Sequence, residues 1–116
     1  MNIRTDSIGH STVVIPEGRL DFVTAPSFEK VLERALVGIT GTPAALIIDC
    51  TGLDYVSSAG LRAFLIAART SQRGGIRFAL CALKPAVREV FDTSGFGRII
   101  VVHPDRATAL AHAHPG

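Results

Sequence analysis

The chain lacks most of what the larger function classes require. It has no long apolar run: the strongly apolar stretch Ala44-Ala45-Leu46-Ile47-Ile48 is ended by Asp49, and no run is much longer. A membrane-spanning helix takes about 20 such residues, so no membrane partner is expected. The N-terminal MNIRTDSIGHSTVV has no basic segment leading into an apolar one, so no secretory leader is expected either. A soluble, cytoplasmic protein is the expectation. Charge of one sign is missing too. Twelve basic residues stand against 10 acidic ones, a net charge of +2, which is not the basic footprint of a nucleic-acid binder. Lysine is confined to Lys30 and Lys84, with arginine supplying the other basic residues, which reads as compositional bias. Cysteine is sparse, and Cys50 and Cys81 show no CxxC spacing. Each follows an apolar run, so reduced, buried thiols are expected and a disulfide is not.

Catalytic signatures are equally absent. No GxSxG elbow, GxxxxGK[ST] loop or GxGxxG after a strand occurs. The four histidines, His10, His103, His112 and His114, include no helical metal pair with a carboxylate. Asp49 and Asp54 flank a central loop, where Asp more often shapes a turn than acts as a base. Neither an enzyme nor a metal site is expected.

What is present is a foldable pattern. Apolar residues make up 47% of the 116 and charged ones 19%, enough to bury one core and too few charges for disorder. Two extended segments, residues 2–6 and 12–16, flank Ile8-Gly9-His10 and suggest an antiparallel hairpin. Gly18-Arg19-Leu20-Asp21 reads as a turn. Thr24 can then cap a helix with Pro26 in its first turn and a stripe of Phe28, Val31, Leu32, Ala35 and Leu36. Residues 44–50 are apolar without alternation, as in a strand covered on both faces. Residues 51–55 read as a connection. A second helix follows Ser57-Ser58, with Leu61, Phe64, Leu65 and Ala68 on one side, and stops before Gly74-Gly75. Residues 76–82 form a further strand, and a third helix starts at Pro85. Residues 99–102 form a last strand, and a helix capped by Asp105 runs to about His112. The order β-β-α-β-α-β-α-β-α predicts a mixed, mostly parallel sheet of four to five strands packed with about four helices. Residues 1–116 form one domain in this reading, with 111–116 as a frayed tail.

One stretch stands out: Asp54-Tyr55-Val56-Ser57-Ser58-Ala59-Gly60-Leu61-Arg62. Either serine could simply cap the helix, for about 1 kcal/mol. Gly60 in the first turn costs up to about 1 kcal/mol against Ala, which asks for a close approach there as compensation.

These residues resemble the anti-sigma factor antagonists, built on the STAS domain. Gly18-Arg19-Leu20-Asp21 is similar to that family's G-x-L-D segment. Leu46-Ile47-Ile48-Asp49 with Tyr55-Val56-Ser57-Ser58-Ala59-Gly60-Leu61 is similar to its central strand and phosphorylation loop. Cys81-Ala82-Leu83-Lys84-Pro85-Ala86-Val87 and Phe91-Asp92-Thr93-Ser94-Gly95-Phe96 match its C-terminal half. The resemblance implies a phosphorylation-controlled binding module. Unmodified, it binds a serine-kinase anti-sigma factor and frees the sigma factor; phosphorylated, it lets go. Alignment on Gly60-Leu61 makes Ser58 the acceptor; Ser57, which stands where many members have Asp, is the runner-up acceptor if the register slips.

The implied partner surface comprises Arg19, Asp21, Thr24, Ser57, Ser58, Ala59, Gly60 and Arg62. Asp21 either helps orient the acceptor hydroxyl or caps the segment that leads into the first helix. Arg19 and Arg62 either meet acidic groups or phosphate, or are solvated. The chain itself needs no cofactor, since ATP and magnesium belong to the partner kinase, and a serine phosphatase is implied for the reverse step. Two other readings stay open: a constitutive STAS scaffold subunit, and a small nucleotide- or anion-binding protein.

Overall fold

A computed structural model describes residues 1–113. The hairpin is present and longer than expected, with β1 (Asn2–Ile8) antiparallel to β2 (Ser11–Leu20). Gly9 turns the corner at φ +60°, a left-handed conformation that costs glycine nothing. β2 is the spine of the sheet. Its first part pairs in parallel with β3 (Ala45–Asp49), in register Thr12↔Leu46 to Val14↔Ile48. Its last part pairs in parallel with β4 (Leu53–Val56). β3 continues to β5 (Arg77–Cys81) and β5 to β6 (Val101–His103), both parallel. The spatial order is β1-β2-β3-β5-β6, with β4 on the distal end of β2.

Alternation along the strands splits the core in two. Val14, Leu46, Ile48 and Leu80 face α1 (Ala25–Gly38), α2 (Ser58–Arg73) and α3 (Pro85–Thr93). Val13, Ile15, Ile47 and Cys81 face α4 (Arg106–Ala113). Helices on both sides explain why β3 is buried at every position and shows no polar alternation. Phe28 of α1 and Phe64 of α2 meet edge to face, with centroids 5.8 Å apart. Such a pair adds about 0.5–1.5 kcal/mol to the burial of two large side chains. Cys50 belongs to the first core and Cys81 to the second, so the sheet separates the two thiols. Burial pushes Cys50 well above the ordinary thiol range and Cys81 up to about 12, so neither forms a reactive thiolate readily.

The α/β architecture is as expected, with one strand more. Residues 51–55, read as a connection, contain β4, where Leu53 and Val56 are buried and Asp54 and Tyr55 exposed. Four residues with a polar centre leave no apolar run to notice. Gly18-Arg19-Leu20 is not a turn but the end of β2. The register with β4 shifts between Gly18 and Arg19, where Gly18 adopts φ +102°. A bulge of this kind uses glycine's left-handed freedom and mimics a turn in sequence. A short 3-10 helix, Phe96–Arg98, precedes β6 and delays it to Val101. The tail expected from residue 111 is also corrected for 111–113: they are the last turn of α4, with Ala113 buried against the sheet. Residues 114–116 lie outside the described residues.

Candidate functional site

The parallel pairing of β2 with β4 sets Arg19 opposite Tyr55 and Leu20 opposite Val56. Both strands end there, and α1 and α2 begin there. The Arg19 guanidinium lies over the Tyr55 ring, 4.1 Å from its centroid, and its Nε is 3.9 Å from an Asp21 carboxylate oxygen. The Ser57 N–H donates to the Leu20 carbonyl at 2.9 Å, which ties the start of α2 to the end of β2.

Gly60 makes that junction possible. A Cβ at this position would lie 2.7 Å from Leu20 Cγ and 2.7 Å from Val56 Cγ2. The close approach that its helix cost demanded is therefore internal, against the two strand ends.

Residues 21–24 form a self-contained loop. The Asp21 carboxylate accepts from the Val23 N–H at 3.0 Å and the Thr24 N–H at 3.1 Å. In return, the Asp21 N–H donates to Thr24 Oγ1 at 2.9 Å, and that hydroxyl donates to the Arg19 carbonyl at 2.8 Å. The Thr24 N–H, first among these contacts, holds the Asp21 carboxyl below the usual carboxylate range. Thr24 stands at the N-cap of α1, but its side chain makes no cap bond, a correction to its expected role; Asp21 caps the segment that leads into the helix, through the Val23 and Thr24 N–H groups. Among the described residues Asp21 has no hydrogen bond to Ser57 or Ser58, so it folds the loop and orients neither hydroxyl.

The serine pair divides its labour. Ser57 is the N-cap of α2, half-buried, its Oγ accepting from the Gly60 N–H at 3.5 Å. Ser58 is the first helical residue and is exposed, and no hydrogen bond engages its hydroxyl among the described residues. Ala59 packs on the main core and Gly60 is buried. Of residues 57–60, only Ser58 is offered outward. Arg62 is exposed one helical turn further on.

Sequence reasoning missed the most conspicuous members of this surface. Phe22 is 83% and Val23 81% exposed, held outward by the Asp21–Thr24 bonds behind them. Tyr55 is 39% exposed beneath Arg19. The available signal was an apolar pair between Asp21 and Thr24, outside the stripe of α1. Beside them, Asp54 of β4 pairs with Lys84 at the head of α3. No group of three or more His, Cys, Asp or Glu among the described residues is placed to hold a metal ion. No helix there is long and apolar enough to cross a membrane.

Residues 2–109 match the STAS domain family. The chain belongs to that family. BtrV of Bordetella bronchiseptica, named as an anti-sigma factor antagonist, is 33% identical over 111 residues, covering 96% of this chain and 93% of that protein. The fold superposes on a Thermotoga maritima anti-sigma factor antagonist with TM-score 0.86 and 17% identity, over 96% of this chain and 93% of that one. SpoIIAA of Bacillus, solved in its phosphorylated form, aligns with TM-score 0.72 and 19% identity over 97% of this chain and 100% of that one. This STAS domain is thus an anti-sigma factor antagonist by kinship.

Proposed function

We propose that the protein is a partner-switching regulator in the cytoplasm. Unphosphorylated, it binds a serine-kinase anti-sigma factor through the Phe22–Val23 loop, Tyr55 and the head of α2, and so releases the sigma factor. The kinase phosphorylates Ser58 with its own ATP and magnesium, and a serine phosphatase resets the switch. One observation carries the reading: Ser57 serves as the cap, which leaves Ser58 exposed and its hydroxyl unengaged at the head of α2. A cap serine is needed by the helix, whereas its neighbour is free for chemistry. The relative solved in its phosphorylated form adds support by kinship.

The physics of such a switch is local. Phosphate adds about 1.5–2 negative charges. On α2 it would be tolerated, because a helix N-terminus favours an anion by about 0.3–1 kcal/mol and no acidic residue occupies the first turn. At the partner the same dianion must be desolvated against a surface shaped for a hydroxyl, so the complex breaks while the fold stays.

The experiment is intact-mass spectrometry of the chain incubated with the anti-sigma factor kinase, ATP and magnesium, followed by peptide mapping. One phosphate on Ser58, lost in Ser58→Ala and kept in Ser57→Ala, is expected. Phosphate on Ser57 would move the acceptor, and a complex that forms without any phosphate would make this a constitutive binding module.

A further inference from the structure

The basic residues are distributed unevenly. Arg4, Arg19, Lys84, Arg88 and Arg106 each face a carboxylate. Lys30 and Arg34 of α1 and Arg62, Arg69 and Arg73 of α2 are all exposed, and none of these five is ion-paired among the described residues. At about 100° per residue, Ser58, Arg62, Arg69 and Arg73 fall within an arc of about 60° on α2. They form one stripe about 22 Å long at about 1.5 Å per residue, with Ser58 at its head. Lys30 and Arg34 lie one turn apart on α1, on the side away from Phe28, Leu32 and Leu36. The chirality of the crossovers makes the two helices run alongside each other in the same direction, since both return from parallel strands. Between them is a shallow apolar groove with half-exposed Ile66, exposed Val37, and the carboxylates of Glu29 and Glu33.

We infer that this solvent face is the second part of the docking surface and is fitted to an acidic face of the anti-sigma factor. The inference rests on the reading of Ser58 given above and adds the partner's chemistry. The stripe is headed by Ser58, next to Ser57, whose N–H bonds the Leu20 carbonyl two residues before Phe22, so a protein seated on the Phe22–Val23 loop is placed to reach it. Glu29 and Glu33 stand in the middle of the face, which suits a protein with a patterned surface and opposes a uniformly anionic lipid or nucleic acid. Phosphorylation of Ser58 then acts twice. It places a dianion at the head of the stripe, one turn from Arg62, where it draws on that guanidinium and repels the partner's acidic groups.

The test is binding kinetics between the anti-sigma factor that phosphorylates the chain and the variant Arg69→Glu/Arg73→Glu, whose changes lie three to four turns from Ser58. Affinity should fall at least about tenfold, mainly through the association rate, and the gap should narrow as salt rises. Arg69→Gln/Arg73→Gln, which keeps side-chain size, should show a smaller loss of the same kind, and Arg88→Glu on α3 should show none. A kinase that modifies Ser58 yet binds the reversed variant like wild type, or a loss unaffected by salt, overturns the acidic-partner proposal and leaves the reading of Ser58 standing. Failure of the wild-type chain either to bind or to be phosphorylated overturns both.

Discussion

Two clusters occupy the carboxyl ends of the parallel strands, and they use their polar groups in opposite ways. At the end of β3, Asp49 is buried, accepts from the Thr51 N–H at 3.1 Å and hydroxyl at 2.6 Å, and pairs with Arg106 of α4 at 3.0 Å. Arg106 reaches on to Asp6 of β1 at 3.0 Å, so three elements are latched and nothing is left over. At the end of β2, Asp21 and Thr24 satisfy each other within one loop, and that closed circuit holds two large apolar side chains in water. The first arrangement serves the fold. The second holds Phe22 and Val23 exposed, which fits the partner surface of the proposed function.

The comparison breaks most sharply at the apolar pair. Replacing Phe22 and Val23 by alanine should weaken anti-sigma factor binding by about 2–4 kcal/mol, the range of interface anchors. Stability should move by less than about 0.5 kcal/mol, as for exposed residues. Calorimetric titration and thermal melting read the two quantities; a large stability loss would make the pair structural.

Arg106→Ala should do the reverse, costing about 1–3 kcal/mol through an uncompensated Asp49 with binding unchanged when the variant is folded. Its pH signature has a definite sign. Burial alone would raise the Asp49 pKa, but the hydrogen bonds from Thr51 and Arg106 overcome it and leave the carboxyl below its usual value. A depressed carboxylate stabilises the fold above its unfolded-state pKa, and that stability is lost as pH falls through the folded value, here below about pH 4. Denaturant unfolding from neutral pH downward should show a shallower acid loss in Arg106→Ala than in wild type.

Gly60→Ala sharpens the contrast at the junction. The added methyl meets Leu20 and Val56 at 2.7 Å, and overpacking of this sort costs about 1–3 kcal/mol against a helix-propensity gain of up to about 1. A net destabilisation on melting is expected, and a stabilised variant would show that the head of α2 can shift freely. The smallest effect is expected for Tyr55→Leu, which removes the stacking of Arg19 and should cost about 0.5–1 kcal/mol of loop stability or binding.

Most of the framework was legible because burial leaves periodic marks. The stripe Phe28, Leu32, Leu36 gave α1, and the unbroken apolar run ending at Asp49 gave β3. What escaped was short or bulged: β4 carries only Leu53 and Val56 inward, and Gly18 reads as a turn although it sits within a strand. At the site, Ser58 came from resemblance, while the division between a capping Ser57 and an unengaged Ser58 is visible only in the folded structure. Phe22 and Val23 were passed over because apolar residues are sought inside. Arg106 was missed because its partners, Asp6 and Asp49, are remote in sequence.

The central claim is that a phosphate on Ser58 dismantles the partner complex without refolding the domain. The direct measurement is a calorimetric titration of the anti-sigma factor with the chain carrying phosphoserine at position 58 and with the unmodified chain, alongside amide exchange of both forms. Affinity at least about 100-fold lower for the phosphorylated chain, a difference of about 2.7 kcal/mol, with amide protection altered only around the head of α2, is the predicted result. Equal affinities would contradict the account.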